Sequence, residues 1–404
     1  MPRVVVTGLG IISALGLGAK TNWECLSQGR SGIRPIQSVD TAALKFKSGA
    51  EVQGFAPERY FPGSSADILD RFAQFALLAA REAVTDSALM INPELGGRTA
   101  VITGSCLGGQ NTQDTGFVEL YREGRSRIHP MSIPRTMANA GASHISMEFG
   151  IRGPVFTVST ACSSGNHAIG QAFHMVRSGM VDAAITGGSE APFSFGLLKA
   201  WEAMRVISPD TCRPFSKDRQ GMVLGEGGAM LVLESLEHAR DRGANIYGEI
   251  VGFGMSSDAG HITKPSPEGA AAAMNRAMED ARISPQQIGY INAHGTGTPV
   301  NDPTETAAIK LAFGPHGKEL SVSSTKSMHG HALGAAGALE AVATVLAVRE
   351  GVLPPTANYR EADPECDLDV VPNTAKRQHV EFALSNSFAF GGLNAVLAFR
   401  RYSG

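Results

Sequence analysis

The stretch that decides the fold covers residues 154–165 and reads PVFTVSTACSSG. Its first part, PVFTVST, is an apolar and β-branched run of strand length, and residues 165–178 have the spacing of a helix rich in small side chains. A strand that turns sharply into a helix is the repeating unit of α/β sheets. The stretch therefore predicts an α/β fold, with Cys162 at the turn between strand and helix.

The same alternation continues on both sides of this turn. Apolar runs predict strands at residues 3–8, 99–104, 182–188, 228–234, 247–254, 288–294, 382–387 and 395–400. Helical spacing between them predicts a largely parallel sheet that is covered on both faces. The second half restarts the pattern without an intervening linker, so we expect two halves, 1–245 and 246–404, packed as one body. Residues 301–305 and 351–359 are predicted loops, because Pro and Asn interrupt the periodicity.

Composition excludes several classes of protein. Of the 404 residues, 43% are hydrophobic and 18% are charged, which is enough apolar material for a large core and excludes disorder. A net charge of −3 argues against nucleic acid as the main partner. No apolar run reaches the roughly 18 residues of a membrane span, so no membrane insertion is expected. Five scattered cysteines without a CxxC pair argue against a disulfide scaffold or structural zinc and favour the cytoplasm.

Cys162 has the chemistry of a nucleophile. A sulfur at the N-terminus of a helix lies near free N–H groups and the positive end of the helix dipole, which favour a thiolate and can receive an oxyanion. The small residues on either side leave room for a substrate. A buried cysteine can also be a plain core residue, and both interpretations are open at this point. The other four cysteines lack this context and are predicted to be structural.

Two histidines in the second half also lie between strand, glycine and helix. His294 lies in AHGTGT (293–298), and His331 lies in KSMHGHALGAAG (326–337). Glycines let such loops bend so that an imidazole is exposed at the end of a strand. A helix N-terminus disfavours imidazolium, which predicts a neutral His331 that donates a hydrogen bond. Metal binding is the alternative, although no clear carboxylate or thiolate set accompanies the histidines; His329 is predicted to be structural.

Taken together, five motifs resemble those of the β-ketoacyl-[acyl carrier protein] synthases. They are TACSSG at 160–165, RPFSKDRQGMVLGEG at 213–227, AHGTGT at 293–298, KSMHGH at 326–331 and NSFAFGG at 386–392. Their order and spacing are similar to those of the elongating synthase I/II branch across essentially the whole chain. Residues 210–216, 323–331 and 354–373 further resemble the nodulation protein E type within that branch.

The resemblance implies a thiolase-like fold, with two pseudo-symmetric βαβ halves in five α-β-α-β-α layers. It implies that Cys162 is the nucleophile, that His294 and His331 stabilise an enolate, and that Lys326, balanced by Glu340, tunes the site. The N–H groups of Cys162 and Phe390 would hold an oxyanion, with Phe390 as the gate. The side chains implied to bind substrate are Leu107, Trp201, Thr263, Thr296, Thr298 and Phe388; for Leu107 and Trp201, plain core packing is the alternative.

The implied reaction is the decarboxylative Claisen condensation of an acyl-cysteine enzyme with malonyl-[acyl carrier protein]. It would give 3-oxoacyl-[acyl carrier protein] in fatty acid, Nod-factor-type or polyketide biosynthesis. The substrates are carried on 4′-phosphopantetheine, so no separate cofactor and no metal is expected. The implied partners are an acyl carrier protein, ordinary or dedicated, and a second copy of the chain in a homodimer. The competing interpretations are a malonyl decarboxylase and a non-condensing interaction homologue.

The sequence departs from the family pattern in three places. Ala389 replaces the usual glycine before the gating phenylalanine, and Leu393 replaces the usual threonine after the double glycine. Because alanine lacks the freedom of glycine, we expect the gate to move more slowly or to be differently poised. The stretch before the helix near Phe72 is less basic than usual, which leaves as candidate carrier contacts Arg71, Arg125, Arg127 and Arg205.

Overall fold

The computed structural model describes residues 2–404, leaving aside the side chains of residues 64 and 65. Its long strands are β1 Val4–Ser13, β2 Thr99–Gly104, β3 Val155–Val158, β4 Ala183–Glu190, β5 Gly227–Ser235, β6 Gly248–Ser257, β7 Ile288–Asn292, β8 Ser321–Ser323, β9 Phe382–Ala389 and β10 Leu393–Arg400. Its long helices are α1 Ala19–Ser27, α2 Arg71–Ser87, α3 Gln110–Phe117, α4 Ala140–Phe149, α5 Ser164–Arg177, α6 Phe195–Met204, α7 Pro267–Ala281, α8 Asn301–Phe313 and α9 Ala336–Glu350.

Shorter elements connect these. Two-residue strands lie at Gly16–Leu17, Arg34–Pro35, Ser48–Gly49, Val352–Leu353 and Lys376–Arg377. Short helical segments lie at Pro57–Arg59, Gly63–Ala66, Pro93–Gly97, Val118–Arg122, Ser132–Thr136, Leu236–Asp241, Pro285–Gln287, Gly314–Lys318, Lys326–His329, Leu333–Ala335 and Pro364–Cys366. Within residues 2–404, no helix is both long and apolar enough to cross a membrane.

The order of the strands in the main sheet repeats between the two halves. Across the sheet the strands run β8-β7-β9-β10-β6-β1-β5-β4-β2-β3. We number the five strands of each half in chain order and read outward from the middle of the sheet. In both halves the strands then lie in the order first, fifth, fourth, second, third. The first strands of the halves, β1 and β6, pair with each other antiparallel, with Val4 opposite Ile250. The repeat by strand order supports the expected pseudo-symmetry.

Helices pack on the outer faces of the sheet and also lie between its two halves. The central helices α5 and α9 contact each other and contact strands of both halves, so they lie between the two halves of the sheet. Helix α2 packs on β1, β4 and β5 with α4 beside it, and α7 packs on β6 and β10 with α8 beside it. The result is five α-β-α-β-α layers, and the expected thiolase-like fold is confirmed.

Two expectations from the sequence are wrong. The sheet is mixed, because β4 pairs antiparallel with β5 and β9 pairs antiparallel with β10, the latter through a tight turn at Gly391 and Gly392. Residues 301–305 are not a loop but the first turn of α8. A proline is tolerated in the first turn because its missing N–H would have no partner inside the helix.

Candidate active site

A cavity of about 370 Å³ brings together three of the residues singled out from the sequence, Cys162, His294 and His331. Cys162 follows β3, His294 follows β7 and His331 follows β8, and ligands of α/β sheets bind at these carboxyl ends of strands. Cys162 and His331 occupy equivalent places in the two halves, each between the third strand and a central helix.

The turn that carries Cys162 is strained and braced. Ala161 has a φ of 49°, a left-handed conformation that residues other than glycine rarely adopt. The Ser164 hydroxyl donates to the Ala161 carbonyl at 2.6 Å and accepts from the Thr160 N–H at 2.9 Å. The Ser163 hydroxyl donates to the Thr160 carbonyl at 2.8 Å. These small polar residues hold Cys162 at the start of α5.

Cys162 is almost completely buried, with 7% of the residue's surface exposed. Burial raises the pKa of Cys162 to about 12, although the positive charge of Lys326 acts in the opposite direction. The expectation that the helix N-terminus favours a resting thiolate is therefore wrong, because desolvation of the sulfur outweighs the nearby positive charge. With this pKa, Cys162 rests as a thiol at neutral pH.

His331 is fixed as one neutral tautomer. The Leu333 N–H donates to His331 Nδ1 at 3.2 Å, so the ring proton lies on Nε2. Burial, with Lys326 nearby, lowers the pKa of His331 well below its usual range. The ring therefore stays neutral and offers an N–H donor, in agreement with the expectation for this residue.

His294 has the same tautomer for a different reason. Lys326 Nζ lies 3.3 Å from His294 Nδ1 and donates to the His294 carbonyl at 2.6 Å. Because an ammonium can only donate, Nδ1 is the acceptor and the proton lies on Nε2. Burial and Lys326 lower the pKa of His294 well below its usual range. The two rings lie edge to face at 86°, with centroids 5.4 Å apart.

Lys326 does not line the cavity but lies behind His294, where it pairs with Glu340. Both side chains have no exposed surface. Burial raises the pKa of Glu340 to about 7, against the effect of Lys326. The pair gives the ammonium a fixed position, from which it orients the imidazole of His294.

The other predicted site residues divide into two groups. Thr263, Thr296, Thr298, Trp201, Phe388 and Phe390 line the cavity. Trp201 stacks on the Phe390 ring with centroids 6.2 Å apart. Leu107 does not line the cavity; it packs in the apolar cluster beside Trp201 and Met222. His329 binds Thr325 and the Gly330 carbonyl and has a pKa that burial lowers to about 3, consistent with its structural interpretation.

The four candidate carrier contacts differ in whether they are already bound to other residues of the chain. Arg71 is bound internally, because it pairs with Glu226 at 2.6 Å and lies over the rings of Phe55 and Phe75. It is therefore a poor carrier contact. Arg125 pairs with Glu119 and Glu123, Arg127 is exposed, and Arg205 lines the mouth of the cavity.

Ala389, which replaces the usual glycine before Phe390, ends β9 outside the left-handed region, so its backbone there does not require glycine.

Two buried carboxylates that support the site are missing from the sequence-based predictions. Glu305 accepts the N–H groups of His294 and Gly295 at 2.8 and 2.7 Å. Glu190 accepts the N–H groups of Cys106 and Gly334 at 2.8 and 3.1 Å, which ties the end of β2 to the turn after His331. The targets of Glu190 are 84 and 144 residues away, so no local motif identifies it. Glu305 lies 10 and 11 residues after its targets, across the glycine-containing loop.

A thiolase-like fold with a buried thiol and two donating imidazoles in one cavity defines a condensing acyltransferase. The Beta-ketoacyl synthase N-terminal domain matches residues 1–239 and the Beta-ketoacyl synthase C-terminal domain matches residues 247–360. The chain therefore belongs to the β-ketoacyl synthase family. Its enzyme class is that of a 3-oxoacyl-[acyl-carrier-protein] synthase 2-like acyltransferase.

Three relatives illustrate the match. Nodulation protein E of Rhizobium sp. (strain N33) is 50% identical over 399 residues, 99% of each chain. The 3-oxoacyl-[acyl-carrier-protein] synthase 2 of Staphylococcus aureus (strain COL) is 44% identical, covering 99% of this chain and 98% of that protein. One chain of a solved structure, a type II PKS acyl-carrier protein in complex with its ketosynthase, is also similar. It matches with a TM-score of 0.90 and 33% identity, over 99% of this chain and 100% of that chain.

Proposed function

We propose that this protein lengthens acyl chains by decarboxylative condensation, with Cys162 as the nucleophile and His294 and His331 as the donors that stabilise the enolate. The observation that carries the proposal is the convergence of these three side chains on one cavity. Each imidazole has its Nδ1 occupied, which leaves the Nε2–H to face a substrate. Residues 1–245 contribute the thiol and residues 246–404 contribute the two donors, so both halves take part in the proposed reaction.

In the first step the Cys162 sulfur attacks the carbonyl carbon of an acyl thioester on a carrier protein's 4′-phosphopantetheine. The new C–S bond forms as the carrier's C–S bond breaks, and the carrier leaves as a free thiol. Because the pKa of Cys162 is about 12, the thiol proton must leave during the attack, and it goes to the departing sulfur. Neither resting imidazole offers a lone pair to the cavity, so neither acts as the base.

The N–H groups of Cys162 and Phe390 are suited to hold the oxyanion of this step. Throughout residues 2–404, neither group donates a hydrogen bond to another residue. Phe390 lies in the turn between β9 and β10, and Cys162 lies before α5, so the two donors come from different halves. Such preorganised donors are usually a large contribution to catalysis.

In the second step a malonyl thioester binds beside His294 and His331. Its C–C bond to the carboxylate breaks, CO₂ leaves, and the electron pair moves to the thioester oxygen, which accepts from the two Nε2–H groups. The enolate carbon then attacks the acyl-Cys162 carbonyl, the C–S bond to Cys162 breaks, and the released thiolate takes a proton from water. Neutral imidazoles suit this step, since their lowered pKa values let them donate without titrating.

The proposed partner is an acyl carrier protein, supported by the related ketosynthase that was solved with one. Arg205, His261 and Lys264 line the mouth of the cavity and give it a basic side for an acidic carrier. The proposed pathway is fatty acid, Nod-factor-type or polyketide synthesis in the cytoplasm. The resemblance to nodulation protein E supports a specialised acyl chain and a dedicated carrier.

We further propose a two-fold homodimer that pairs through β3. This strand lies at one edge of the sheet and its four residues are only half-buried, whereas β8 at the other edge is buried. An open strand edge is normally covered, and antiparallel pairing of two copies of β3 would cover both. Light scattering of the purified protein should give twice the chain mass of 42.4 kDa, and a monomer would contradict this arrangement.

The condensation is tested by intact mass after incubation with acyl carriers, from acetyl to hexadecenoyl, with Cys162→Ala as the control. We expect a mass gain equal to the acyl group in the wild type and none in Cys162→Ala. Malonyl decarboxylation should be lost in His294→Ala and in His331→Ala. Full decarboxylation in either histidine variant would refute the enolate roles, and decarboxylation without any acylation would favour the decarboxylase alternative.

A further inference from the structure

Asn166 joins the helix that carries the nucleophile to the β9–β10 hairpin of the other half. It lies in the first turn of α5 and has no exposed surface. Its Nδ2 donates to the Ser385 carbonyl at 3.0 Å and to the Ala395 carbonyl at 3.2 Å. Ser385 is on β9 and Ala395 is on β10, so a single amide group is bonded to both strands of the hairpin.

The two ends of this connection carry the two proposed oxyanion donors. Cys162 lies one helical turn before Asn166, and Phe390 lies midway in sequence between Ser385 and Ala395. An oxyanion hole assembled from two separate elements works only when both N–H groups reach the same point at hydrogen-bond distance. The position of α5 relative to the hairpin therefore sets the geometry of the hole.

The side chain of Asn166 is held in place from the other side by α9. A Cβ placed on Gly337 would lie 2.6 Å from Asn166 Oδ1, so the amide packs directly against the backbone of the helix that follows His331. Among the described residues Oδ1 has no hydrogen-bond partner. A buried acceptor without a partner lowers stability, and an apolar side chain of the same size would avoid that cost. The unpartnered Oδ1 therefore offsets part of the stability that the two hydrogen bonds donated by Nδ2 contribute.

We propose that Asn166 is a positioning residue, which holds the N–H of Cys162 and the N–H of Phe390 in register for the oxyanion of acyl transfer. This inference rests on the proposed function, because that function assigns the two donors. Loss of the Asn166 amide should weaken acylation of Cys162 while leaving the thiol itself accessible and equally reactive toward reagents that form no oxyanion.

The test compares two reactions of the same sulfur in Asn166→Leu and Asn166→Ala. Leucine keeps the number of side-chain heavy atoms and removes the donor, and alanine removes the donor and most of the side chain without adding a clash. One reaction is acylation by an octanoyl carrier, followed by intact mass in single-turnover experiments over a range of carrier concentrations. The other is alkylation by iodoacetamide, a small reagent that needs no oxyanion hole, followed on the Cys162 peptide.

We expect the saturating acylation rate to fall by about 10- to 100-fold and alkylation to stay within about twofold. The matched control is Ile169→Val, which removes a methyl from the core on the same helix without touching the hairpin carbonyls, and should leave both rates near wild type. Equal losses in both reactions, or no loss in either, would overturn the proposal. A wild-type enzyme that no carrier acylates would instead count against the proposed function.

Discussion

Replacing Lys326 by methionine should damage stability and chemistry through separate contacts. Lys326 and Glu340 are both fully buried, so the substitution leaves Glu340 without its positive partner. Breaking a buried pair in this way typically costs about 3–5 kcal/mol.

The sign of the pH dependence follows from the raised pKa of Glu340. A carboxyl whose pKa is raised by folding supports stability at low pH and loses that support as the pH rises through the folded value. In the wild type this value is about 7, and removal of Lys326 raises it further, so only above about pH 7 does the variant pay more than the wild type. The penalty of Lys326→Met should therefore be larger at pH 8 than at pH 6, by about 1.4 kcal/mol. Urea unfolding at the two pH values measures this directly.

The double variant Lys326→Met/Glu340→Leu separates the two effects. Replacing both partners by apolar side chains of similar size should restore most of the stability. It should not restore decarboxylation, because His294 Nδ1 still lacks the donor that fixes its tautomer. A hydrogen bond from a charged donor contributes about 1.5–3 kcal/mol, which corresponds to about 10- to 150-fold in rate. If decarboxylation recovered together with stability, the tautomer argument would be refuted.

Three further predictions follow from the site. Because the pKa values of His294 and His331 are lowered well below 6.5, the neutral active form persists on acidification, and malonyl decarboxylation should stay constant from pH 8 to below pH 6; a decline centred near 6.5 would contradict this. Because the pKa of Cys162 is about 12, its alkylation by iodoacetamide should rise about tenfold per pH unit from 7 to 9, and a plateau below pH 9 would mean a resting thiolate. Gly165→Ala should cost about 1–3 kcal/mol in urea unfolding, because the new Cβ would lie 2.8 Å from the Ala338 nitrogen of α9, whereas Gly97→Ala, which meets open space, should cost almost nothing.

The parts of the site that a local stretch encodes could be predicted from the sequence. The turn at Cys162 is readable because an apolar strand, small residues and a helix follow one another directly. His294 and His331 are readable for the same reason, since glycines mark the bends that expose them. Family resemblance adds Lys326, Thr296 and the gate, which composition and spacing alone do not single out.

What the sequence does not reveal depends on contacts between distant residues. The resting state of Cys162 depends on how completely other elements bury it. The helix N-terminus alone predicts a lowered pKa, whereas burial raises the pKa of the thiol. Glu190 and Asn166 bind backbone groups of elements far away in the sequence, and such contacts leave no motif. Leu107 matches a family position, but its side chain packs beside Trp201 rather than into the cavity. Pairing direction in the sheet is likewise a tertiary property.

The place of β10 in the sheet has a consequence for how the enzyme is made. This strand lies between β9 and β6, well inside the sheet, although it follows all the other main strands in the direction of synthesis. A chain still emerging from the ribosome therefore already contains Cys162 but lacks the hairpin that covers its helix, and with it Phe390. On the proposed mechanism, such a chain can neither hold the oxyanion nor condense two acyl groups. Activity should therefore appear in a single event, when β10 inserts between β9 and β6.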